Sequence, residues 1–393
     1  MRIIETGRLP IWSWATDAEG AALDQARNLA NLEVARDHVA LMPDAHAGFG
    51  MPIGGVLFTE GAVVPYAVGV DIGCGVALAR TNLVWGVSLT PEKLRAVLRQ
   101  VARDVPTGFS VHPKAPMSVE RMTELIGEEP PSSIARGWID RAAVSLGTLG
   151  GGNHFLEVQC DEERRIHFML HSGSRNLGKQ ICDAFVKRAT GACRAARRDL
   201  PDRDLAYLRF DEDPEASAYW AAMRWAMGWA ELNRRVMMDR VEAAFRKHAS
   251  VHRFERLGDV HHNYAEAETH GGVRGIVHRK GAVRAAAGET VLIPGSMGTA
   301  SYVGEGLGNS ASFRSCQHGA GRALGRNEAK RRKTSEQVFA EMAELGVEFL
   351  SGEPRTAAEE APFAYKDIDA VMAASADLVR PVLRLRPLGV VKG

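Results

Sequence analysis

The sequence predicts an α+β protein in which mixed sheets are flanked by helices and residues 1–393 form a single large interwoven domain. Short apolar runs alternate with Gly and Pro, as in strands joined by tight loops, and longer stretches repeat apolar residues at helical spacing. Segments rich in Gly and His are scattered from about residue 44 to residue 322. A domain boundary between them would divide one group of candidate site residues, so one domain is favoured.

The composition limits the class of protein. Hydrophobic residues make up 45% and charged residues 25% of the 393 residues, which is the globular range. The net charge of +1 means that a polyanion would need a local basic face. The first eight residues lack a continuous apolar segment and no run reaches about 18 apolar residues, so we expect neither a signal peptide nor contact with a membrane. Five cysteines, an odd number, favour reduced thiols and a cytoplasmic location.

Strands are predicted where short apolar runs are bounded by turn residues or charged residues. These segments are 39–43, 54–58, 76–79, 153–158, 165–170, 275–278 and 290–293. Period-two alternation over 165–171 places His167 and His171 on one face. Over 153–158 it places Asn153, Phe155 and Glu157 on one face and His154 on the other.

Helices are predicted where apolar residues recur at helical spacing. These segments are 90–101, 179–198, 215–248, 327–345 and 365–374. Thr90 is the expected N-cap of the first, with Pro91 at its first position. The Trp and Met residues of 215–248 indicate helix packing. The basic run Lys330–Lys333 fits either a solvated helix face or a nucleic-acid contact.

Asp71 and Cys74 lie three residues apart in the glycine-rich segment 69–75. A carboxylate and a thiolate placed in this way can converge on one metal ion or bridge two, although a buried Cys beside a turn-capping Asp would give the same pattern. Imidazoles of His154, His171 and His262 would complete a mixed O, S and N ligand set suited to Mn, Zn, Co or Fe. His261 is the less certain neighbour. Five other histidines are interpreted as surface or loop residues: His38, His112, His248, His252 and His270.

The segment Pro294–Ser301 offers hydroxyls and backbone N–H groups that could cradle a phosphate, although such a segment is more often a turn. It lacks the Gly-Lys-Ser/Thr ending of a P-loop. The sequence also has no Gly-x-Gly-x-x-Gly motif after a strand, so kinase, P-loop and Rossmann interpretations have no support.

Ten segments, read in chain order, resemble the RtcB family of RNA ligases, which join an RNA 3′-phosphate to a 5′-hydroxyl. The segments are 42–48, 69–75, 149–158, 171–178, 262–264, 278–282, 294–303, 315–322, 364–369 and 387–393. The resemblance spans nearly the whole chain and implies the α+β fold of the RtcB type.

The resemblance implies two Mn²⁺ ions and a histidine that takes GMP from GTP as a phosphoramidate. The implied metal ligands are Asp71, Cys74, His154, His171 and His262. The thiolate of Cys74 would bridge the ions, and His318 would be the nucleophile, with Gly319, Ala320 and Gly321 leaving room for the nucleotide.

The resemblance also implies a nucleotide site. Asn153 matches a residue at the nucleotide phosphate, and phosphate or ribose contacts fall on Ser296, Ser301 and Arg322. The guanine pocket falls on Phe155, Glu157, Tyr365 and Lys392. Two departures, Ser315–Gln317 before the nucleophile and Gly325-Arg326 after it, affect the local loop and remove no implied ligand.

The implied activity is GTP- and Mn²⁺-dependent joining of an RNA 3′-phosphate or 2′,3′-cyclic phosphate to a 5′-hydroxyl, in RNA repair or tRNA splicing. A basic face for the RNA ends could come from six residues: Arg175, Lys179, His278, Arg279, Lys280 and Arg284. A dinuclear metal phosphoesterase acting on RNA ends is the alternative, since it would use the same ligands without a nucleophilic histidine. A noncatalytic RNA-binding protein would need no metal ligands.

Overall fold

The computed structural model describes residues 1–5, 7–17, 20–352 and 354–393. Its α-helices are α1 Gly20–Asn31, α2 Pro65–Val68, α3 Pro91–Asp104, α4 Val119–Ile126, α5 Arg136–Ser145, α6 Arg175–Ala195, α7 Pro214–Ala249, α8 Arg326–Arg332, α9 Ser335–Glu344 and α10 Ile368–Ala374. The strands of the first half are β1 Arg2–Ile4, β2 Ile11–Ser13, β3 Ala35–His46, β4 Ile53–Thr59, β5 Ala62–Val63, β6 Gly75–Val84, β7 Phe155–Cys160 and β8 Arg165–Ser172. Those of the second half are β9 Leu208–Arg209, β10 Phe254–His261, β11 Asn263–His270, β12 Val273–Lys280, β13 Ala282–Arg284, β14 Thr290–Ile293, β15 Ser301–Gly306, β16 Ser315–Gln317, β17 Glu348–Ser351 and β18 Val379–Lys392.

Two large mixed sheets organise these strands. The six-stranded sheet has the order β1-β2-β3-β4-β12-β11. The eight-stranded sheet has the order β10-β6-β8-β7-β18-β15-β14, with β17 paired to β18. Pairs β2–β3 and β17–β18 are parallel and the other pairs are antiparallel. The predicted α+β class with mixed sheets is therefore confirmed. The assignment of residues 1–393 to one domain stays a prediction.

The longest helix, α7, packs into the cores beside both sheets. Near its middle, Trp225 and Trp229 are fully buried in the cluster that holds Val39 and Leu57 of the six-stranded sheet. Toward its end, Phe245 is fully buried in the cluster that holds Phe168 of the eight-stranded sheet. The prediction that its Trp and Met residues serve helix packing is confirmed, and the helix ties the two sheets together.

Register brings separate chain segments to one end of the eight-stranded sheet. On β6, Gly75 pairs with Ser172 on one side and with His261 on the other. On β7, Phe155 pairs with His171 and with Lys392. Several candidate metal ligands and candidate nucleotide contacts lie at this end or just beyond it.

Several element boundaries differ from the predictions. The segment 327–345 forms two helices, because Thr334 and Gln337 make a capping box that starts α9 afresh. The helix predicted over 179–198 begins earlier, at Arg175. The strand predicted from residue 153 begins at Phe155, so Asn153 and His154 lie in the preceding turn.

Other elements were not predicted. They include helices α1, α4 and α5 and strands β10, β11 and β15, as well as most of β18. In the ranges that the structure describes, no helix combines the length and the apolar character needed to cross a membrane.

Candidate metal and nucleotide site

A thiol and two imidazoles converge at the end of the eight-stranded sheet. Among the described residues, the group that meets metal-site spacing is Cys74, His154 and His171, whose ligand atoms lie within 4.8 Å of one another. The sulfur of Cys74 is 3.4 Å from Nε2 of His154 and 3.2 Å from Nε2 of His171. Asp71 and His262 adjoin the group, because Asp71 Oδ2 is 3.0 Å from His154 Nε2 and His262 Nε2 is 3.3 Å from His171 Nε2. The structure thus brings all five predicted ligands together.

The hydrogen bonds of the imidazoles fit a bound cation. His154 uses Nδ1 to donate to the carbonyl of Leu149 at 2.9 Å, and His171 uses Nδ1 to donate to that of Asn153 at 3.2 Å. Each Nε2 therefore carries a lone pair that points into the cluster. Nδ1 of buried His262 has no hydrogen-bond partner. Lone pairs facing one another at these distances are repulsive unless a proton or a metal ion lies between them.

Burial favours the neutral form of two of the candidate nitrogen ligands. It lowers the pKa of His171 and of His262 well below the ordinary value, and neighbouring imidazoles lower both further. Burial and the carboxylate of Asp71 raise the pKa of the Cys74 thiol well above its ordinary value. A bound divalent cation reverses that preference, because it stabilises the thiolate. The donor set of thiolate, imidazole and carboxylate fits a divalent first-row transition metal better than the all-oxygen preference of Mg²⁺ or Ca²⁺.

The predicted nucleophile lies beside this cluster. Nδ1 of His318 is 2.7 Å from Oδ2 of Asp44, and the same oxygen accepts the backbone N–H of His318 at 3.2 Å. Asp44 is fully buried. Its carboxylate therefore holds Nδ1 as the protonated nitrogen and leaves the lone pair on Nε2. The rings of His262 and His318 are 4.9 Å apart, centroid to centroid.

Strand pairing brings His318 to this position. It follows β16, which pairs with β13 so that Ala282 faces Gln317. Gly281 immediately precedes β13, and a Cβ there would lie 3.1 Å from Cε1 of His318 and 2.3 Å from Cγ2 of Ile53. With φ at +61°, Gly281 also has a backbone conformation that favours glycine.

A cavity of about 710 Å³ opens over the cluster and His318. Its volume is in the range of small-molecule sites. Its lining includes every predicted nucleotide contact: Asn153, Phe155, Glu157, Ser296, Ser301, Arg322, Tyr365 and Lys392. Four of the five candidate metal ligands also line it, namely Asp71, Cys74, His171 and His262. One cavity thus joins the candidate nucleotide site to the candidate metal site.

Glu157 lies on the sheet side of this cavity. It is 3% exposed, and Gln159 donates a hydrogen bond to it. Burial raises the pKa of Glu157 to about 8, although the Gln159 hydrogen bond and the charge of Lys392 act in the opposite direction. Gln159 also donates to the hydroxyl of Ser301 at 2.9 Å, so this amide connects two predicted nucleotide contacts.

Most of the predicted basic face does not form. His278 and Arg279 are fully buried, and Arg279 is paired with Glu268 at 2.5 Å, so neither can reach RNA from this position. Lys280 lines the cavity, but its ammonium donates to the backbone carbonyls of Phe49 and Tyr66 at 2.6 and 3.1 Å. The register that pairs β12 with both β4 and β11 buries this segment.

The other members of that face are already paired. Arg175 donates to Thr148 and to the carbonyl of Gly108, and Lys179 forms an exposed ion pair with Asp183. Arg284 pairs with acidic residues of β11 and of the turn before β14. The Lys330–Lys333 run is also engaged, since each of its cations pairs with a glutamate. These pairs favour the interpretation of the run as a solvated helix face.

Two histidines expected at the surface or in loops are instead buried in strands. His38 on β3 is 1% exposed and stacks between the rings of Trp12 and Phe313. His270 on β11 is 7% exposed and pairs with Glu268. Both contribute to packing against aromatic rings. Nδ1 of His261 donates to the carbonyl of Gly73, 3.0 Å away, and so supports the loop beside the cluster.

Two residues of the site were absent from the sequence prediction. Asp44 lies in the segment 42–48, to which the sequence analysis gave no role. Its contact with His318 joins residues that are 274 positions apart in the sequence. Glu360 is buried beside Arg322 and Tyr365 and lines the cavity. The sequence signal for Glu360 was its position shortly before the segment 364–369, but the local residue pattern does not indicate that its side chain is buried.

The fold and site define a class of protein, namely an α+β enzyme with a candidate metal centre beside a ligand-sized cavity. Residues 25–393 match the family described as tRNA-splicing ligase RtcB. The RNA-splicing ligase RtcB of Escherichia coli K12 is 38% identical over 417 residues, covering 99% of this chain and 98% of the relative. The tRNA-splicing ligase RtcB of Aeropyrum pernix is 35% identical, covering 94% and 91%, and the RNA-splicing ligase RtcB of Mycobacterium tuberculosis is 36% identical, covering 90% and 96%. The chain belongs to the RtcB family.

Proposed function

We propose that this protein is a GTP- and Mn²⁺-dependent RNA ligase that joins an RNA 3′-phosphate, or a 2′,3′-cyclic phosphate, to a 5′-hydroxyl in RNA repair or tRNA splicing. The observation that carries the proposal is the arrangement of His318. Its Nδ1 is held by buried Asp44, and its ring lies 4.9 Å from that of His262 in the cavity. A phosphoesterase with the same metal ligands would not need a nucleophilic histidine, so covalent labelling by GTP separates the two functions.

The proposed chemistry begins at Nε2 of His318. This nitrogen attacks the α-phosphorus of GTP, pyrophosphate leaves, and Asp44 stabilises the charge that develops on the imidazole. The RNA 3′-phosphate then takes GMP from His318, which forms an anhydride and frees the imidazole. The 5′-hydroxyl of the second RNA attacks the RNA phosphorus, and GMP leaves.

The residues around His318 would bind the metal ions and the nucleotide. Two Mn²⁺ ions would be held by Asp71, Cys74, His154, His171 and His262, and their contribution would be to neutralise phosphate charge. Ser296, Ser301 and Asn153 would contact phosphate or ribose. Glu157 would accept hydrogen bonds from guanine N1–H and its 2-amino group, while Phe155, Tyr365 and Lys392 complete the base pocket.

Covalent labelling tests the nucleophile. Incubation with α-labelled GTP and Mn²⁺ should label the wild-type chain, and the label should be acid-labile and alkali-stable, as expected of a phosphoramidate. His318→Ala should carry no label, whereas His252→Ala, which changes an exposed histidine, should be labelled normally. Labelling of His318→Ala at the wild-type level would assign the nucleophile elsewhere. Absence of label on the wild-type chain would favour the phosphoesterase.

The RNA ends test the overall reaction. An RNA labelled in its 3′-phosphate should be joined to a 5′-hydroxyl partner, with the label passing into a phosphatase-resistant internal linkage. A 5′-phosphate partner should not be joined, because its phosphate blocks the attacking oxygen. Joining of 3′-hydroxyl to 5′-phosphate ends instead would overturn the proposed function.

A further inference from the structure

The buried carboxylate of Glu360 contacts several of the polar side chains that line the cavity. Glu360 is 3% exposed. Its Oε1 accepts from Arg322 and from Arg326, each at 3.2 Å. Its Oε2 lies 3.5 Å from the ammonium of Lys392 and accepts a hydrogen bond from the hydroxyl of Tyr365. Four donors from three separate chain segments thus meet at one side chain.

The other contacts of Arg322 and Lys392 are to neutral groups, whereas Arg326 also pairs with the carboxylate of Glu359. Arg322 donates to the backbone carbonyls of Leu324 at 3.0 Å and Glu359 at 2.7 Å, and its guanidinium lies 5.2 Å from the ring centroid of Tyr365. Lys392 donates to the carbonyl of Gly152 at 3.2 Å. Carbonyl oxygens can hold these cations but cannot compensate their charge. Glu360 is therefore the carboxylate in contact with both Arg322 and Lys392.

The local electrostatics keep Glu360 ionised. Burial alone would raise its pKa, but Lys392, Arg326 and Arg322 together hold it below the ordinary value. Arg326 is half exposed and would keep Glu359, but if the charge of Glu360 were removed, Arg322 and Lys392 would face each other in a buried space without a carboxylate partner. They would separate, and any group that moved toward the cavity would change the shape of the nucleotide site.

We propose that Glu360 is a positioning residue for the guanosine nucleotide, which holds Arg322, Tyr365 and Lys392 in the arrangement that GTP meets. The inference rests on the proposed function, because it takes GTP as the ligand of this cavity. Glu360 acts through its neighbours, so its loss should weaken nucleotide binding and leave the metal ligands and His318 in place.

The matched comparison is Glu360→Gln against Glu359→Gln. Both changes remove one carboxylate from the same short helical segment. The side chain of Glu359 pairs with Arg326 at 3.6 Å and with Lys330 at 2.8 Å. Arg322 contacts only the backbone carbonyl of Glu359, which the substitution does not change. Only Glu360→Gln therefore removes the charge that faces Arg322 and Lys392.

The measurements are the Kd of GTP in the presence of Mn²⁺, the KM values for GTP and for RNA, the bound metal and the Tm of the nucleotide-free protein. Glu360→Gln should raise the Kd and the KM for GTP by about tenfold or more, because Arg322, Tyr365 and Lys392 each lose a charged hydrogen-bond acceptor. The KM for RNA and the metal content should change less than about twofold. Glu359→Gln should leave all of these near wild type.

The outcomes separate the possible failures. If wild-type protein does not bind GTP, the proposed function fails and this inference fails with it. If the wild type binds GTP and both variants bind it equally well, Glu360 has no positioning role and the proposed function stands. A lower Tm with an unchanged KM for GTP would show a purely structural role and would also overturn the inference.

A second variant covers the case in which Glu360→Gln does not fold. Glu360→Asp keeps the charge but shortens the side chain by one methylene, so it should fold and bind GTP more weakly than the wild type. Glu359→Asp is its control. Wild-type GTP affinity in Glu360→Asp, with Glu360→Gln unfolded, would overturn the positioning role.

Discussion

Glu157 is a buried acid whose charge state bears on nucleotide recognition. It lies on β7, where Val390 is its cross-strand partner on β18, and the charged group that acts on it most is Lys392. The ammonium of Lys392 is closer to Glu360, which leaves Glu157 with Gln159 as its hydrogen-bond donor. An acid in this environment keeps its proton near neutral pH, and burial raises its pKa to about 8.

GTP affinity should therefore depend on pH through Glu157. The proposed contact uses the ionised carboxylate, so binding must remove the proton that the free protein retains below about pH 8. As pH falls from about 8 toward 6, the Kd of GTP should rise by up to about tenfold per unit, and above 8 it should level off. Glu157→Gln should bind GTP more weakly and show no such dependence. If the Kd of GTP depended on pH equally in the wild type and in Glu157→Gln, the titrating group would be a residue other than Glu157.

Asp44 should be needed for guanylylation although it does not touch the nucleotide in the proposed mechanism. Asp44→Asn keeps the size of the side chain but removes the charge that fixes the tautomer of His318. Labelling by GTP should slow by at least about tenfold, while metal content stays unchanged. Asp161→Asn is the matched control, because Asp161 also pairs with a histidine, His167 at 2.9 Å, but does so in the eight-stranded sheet and outside the cavity lining. Equal rates in the two variants would contradict the role of Asp44.

At the scale of the elements, α7 supports the loops that carry the metal ligands. Asn233 is fully buried, accepts the backbone N–H groups of Gly147 and Thr148, and donates to the carbonyl of Thr148. The next residue, Arg234, donates to the carbonyls of Gly73 and Ser172, both at 2.9 Å. Two consecutive residues of one helix thus fix the loop before Cys74 and the end of the strand that carries His171.

Asn233→Leu should destabilise the fold and loosen the metal site together. It leaves the buried N–H of Gly147 without an acceptor and that of Thr148 with only the carbonyl of Ser145, which should lower the free energy of unfolding by about 2–3 kcal/mol. Urea unfolding and metal titration would measure the two effects. Asp239→Asn, on the same helix, changes an exposed ion pair with Arg256 and should cost less than about 1 kcal/mol. A similar small cost for Asn233→Leu would show that α7 does not hold these loops.

At the scale of the whole molecule, the proposed ligands connect distant parts of the chain. Cys74 meets His154 and His171 across sequence separations of 80 and 97 residues, and His171 meets His262 across 91. The unfolded chain cannot present this set as one site. Metal binding should therefore stabilise the folded state as a whole.

Removal of metal should lower the Tm, and Mn²⁺ should restore it better than Mg²⁺ because the site offers thiolate and imidazole ligands. At a Mn²⁺ concentration of about 100 times Kd the stabilisation should be about 2.7 kcal/mol. Cys74→Ser should lose most of this effect and guanylylation as well. Cys160→Ser, which changes another buried thiol of the same sheet, should respond to Mn²⁺ like the wild type. A Tm independent of Mn²⁺ in the wild type would argue against a structural contribution from the metal.

The sequence alone predicted the class of fold, the main helices and strands, and the candidate ligands. These features depend on local patterns: helical spacing in α7, a Thr-Pro start for α3, and glycine-rich segments around the candidate ligands other than His262. The Thr334 capping box was also present in the sequence, but the continuous polar composition of 327–345 concealed the break between α8 and α9. The resemblance to the RtcB family added roles that the residue pattern by itself left open.

Only the tertiary structure decided which polar groups face the cavity and which are buried. The His278–Lys280 run looks basic in sequence, yet pairing of Tyr264 with Arg279 across β11 and β12, together with the ion pair to Glu268, buries Arg279. The contacts of Asp44 with His318 and of Glu360 with Arg322 and Lys392 likewise depend on strand register and on segments far apart in the chain. Local periodicity specifies the face of a strand on which a side chain lies, but the partner of that face is set by long-range hydrogen bonding and packing.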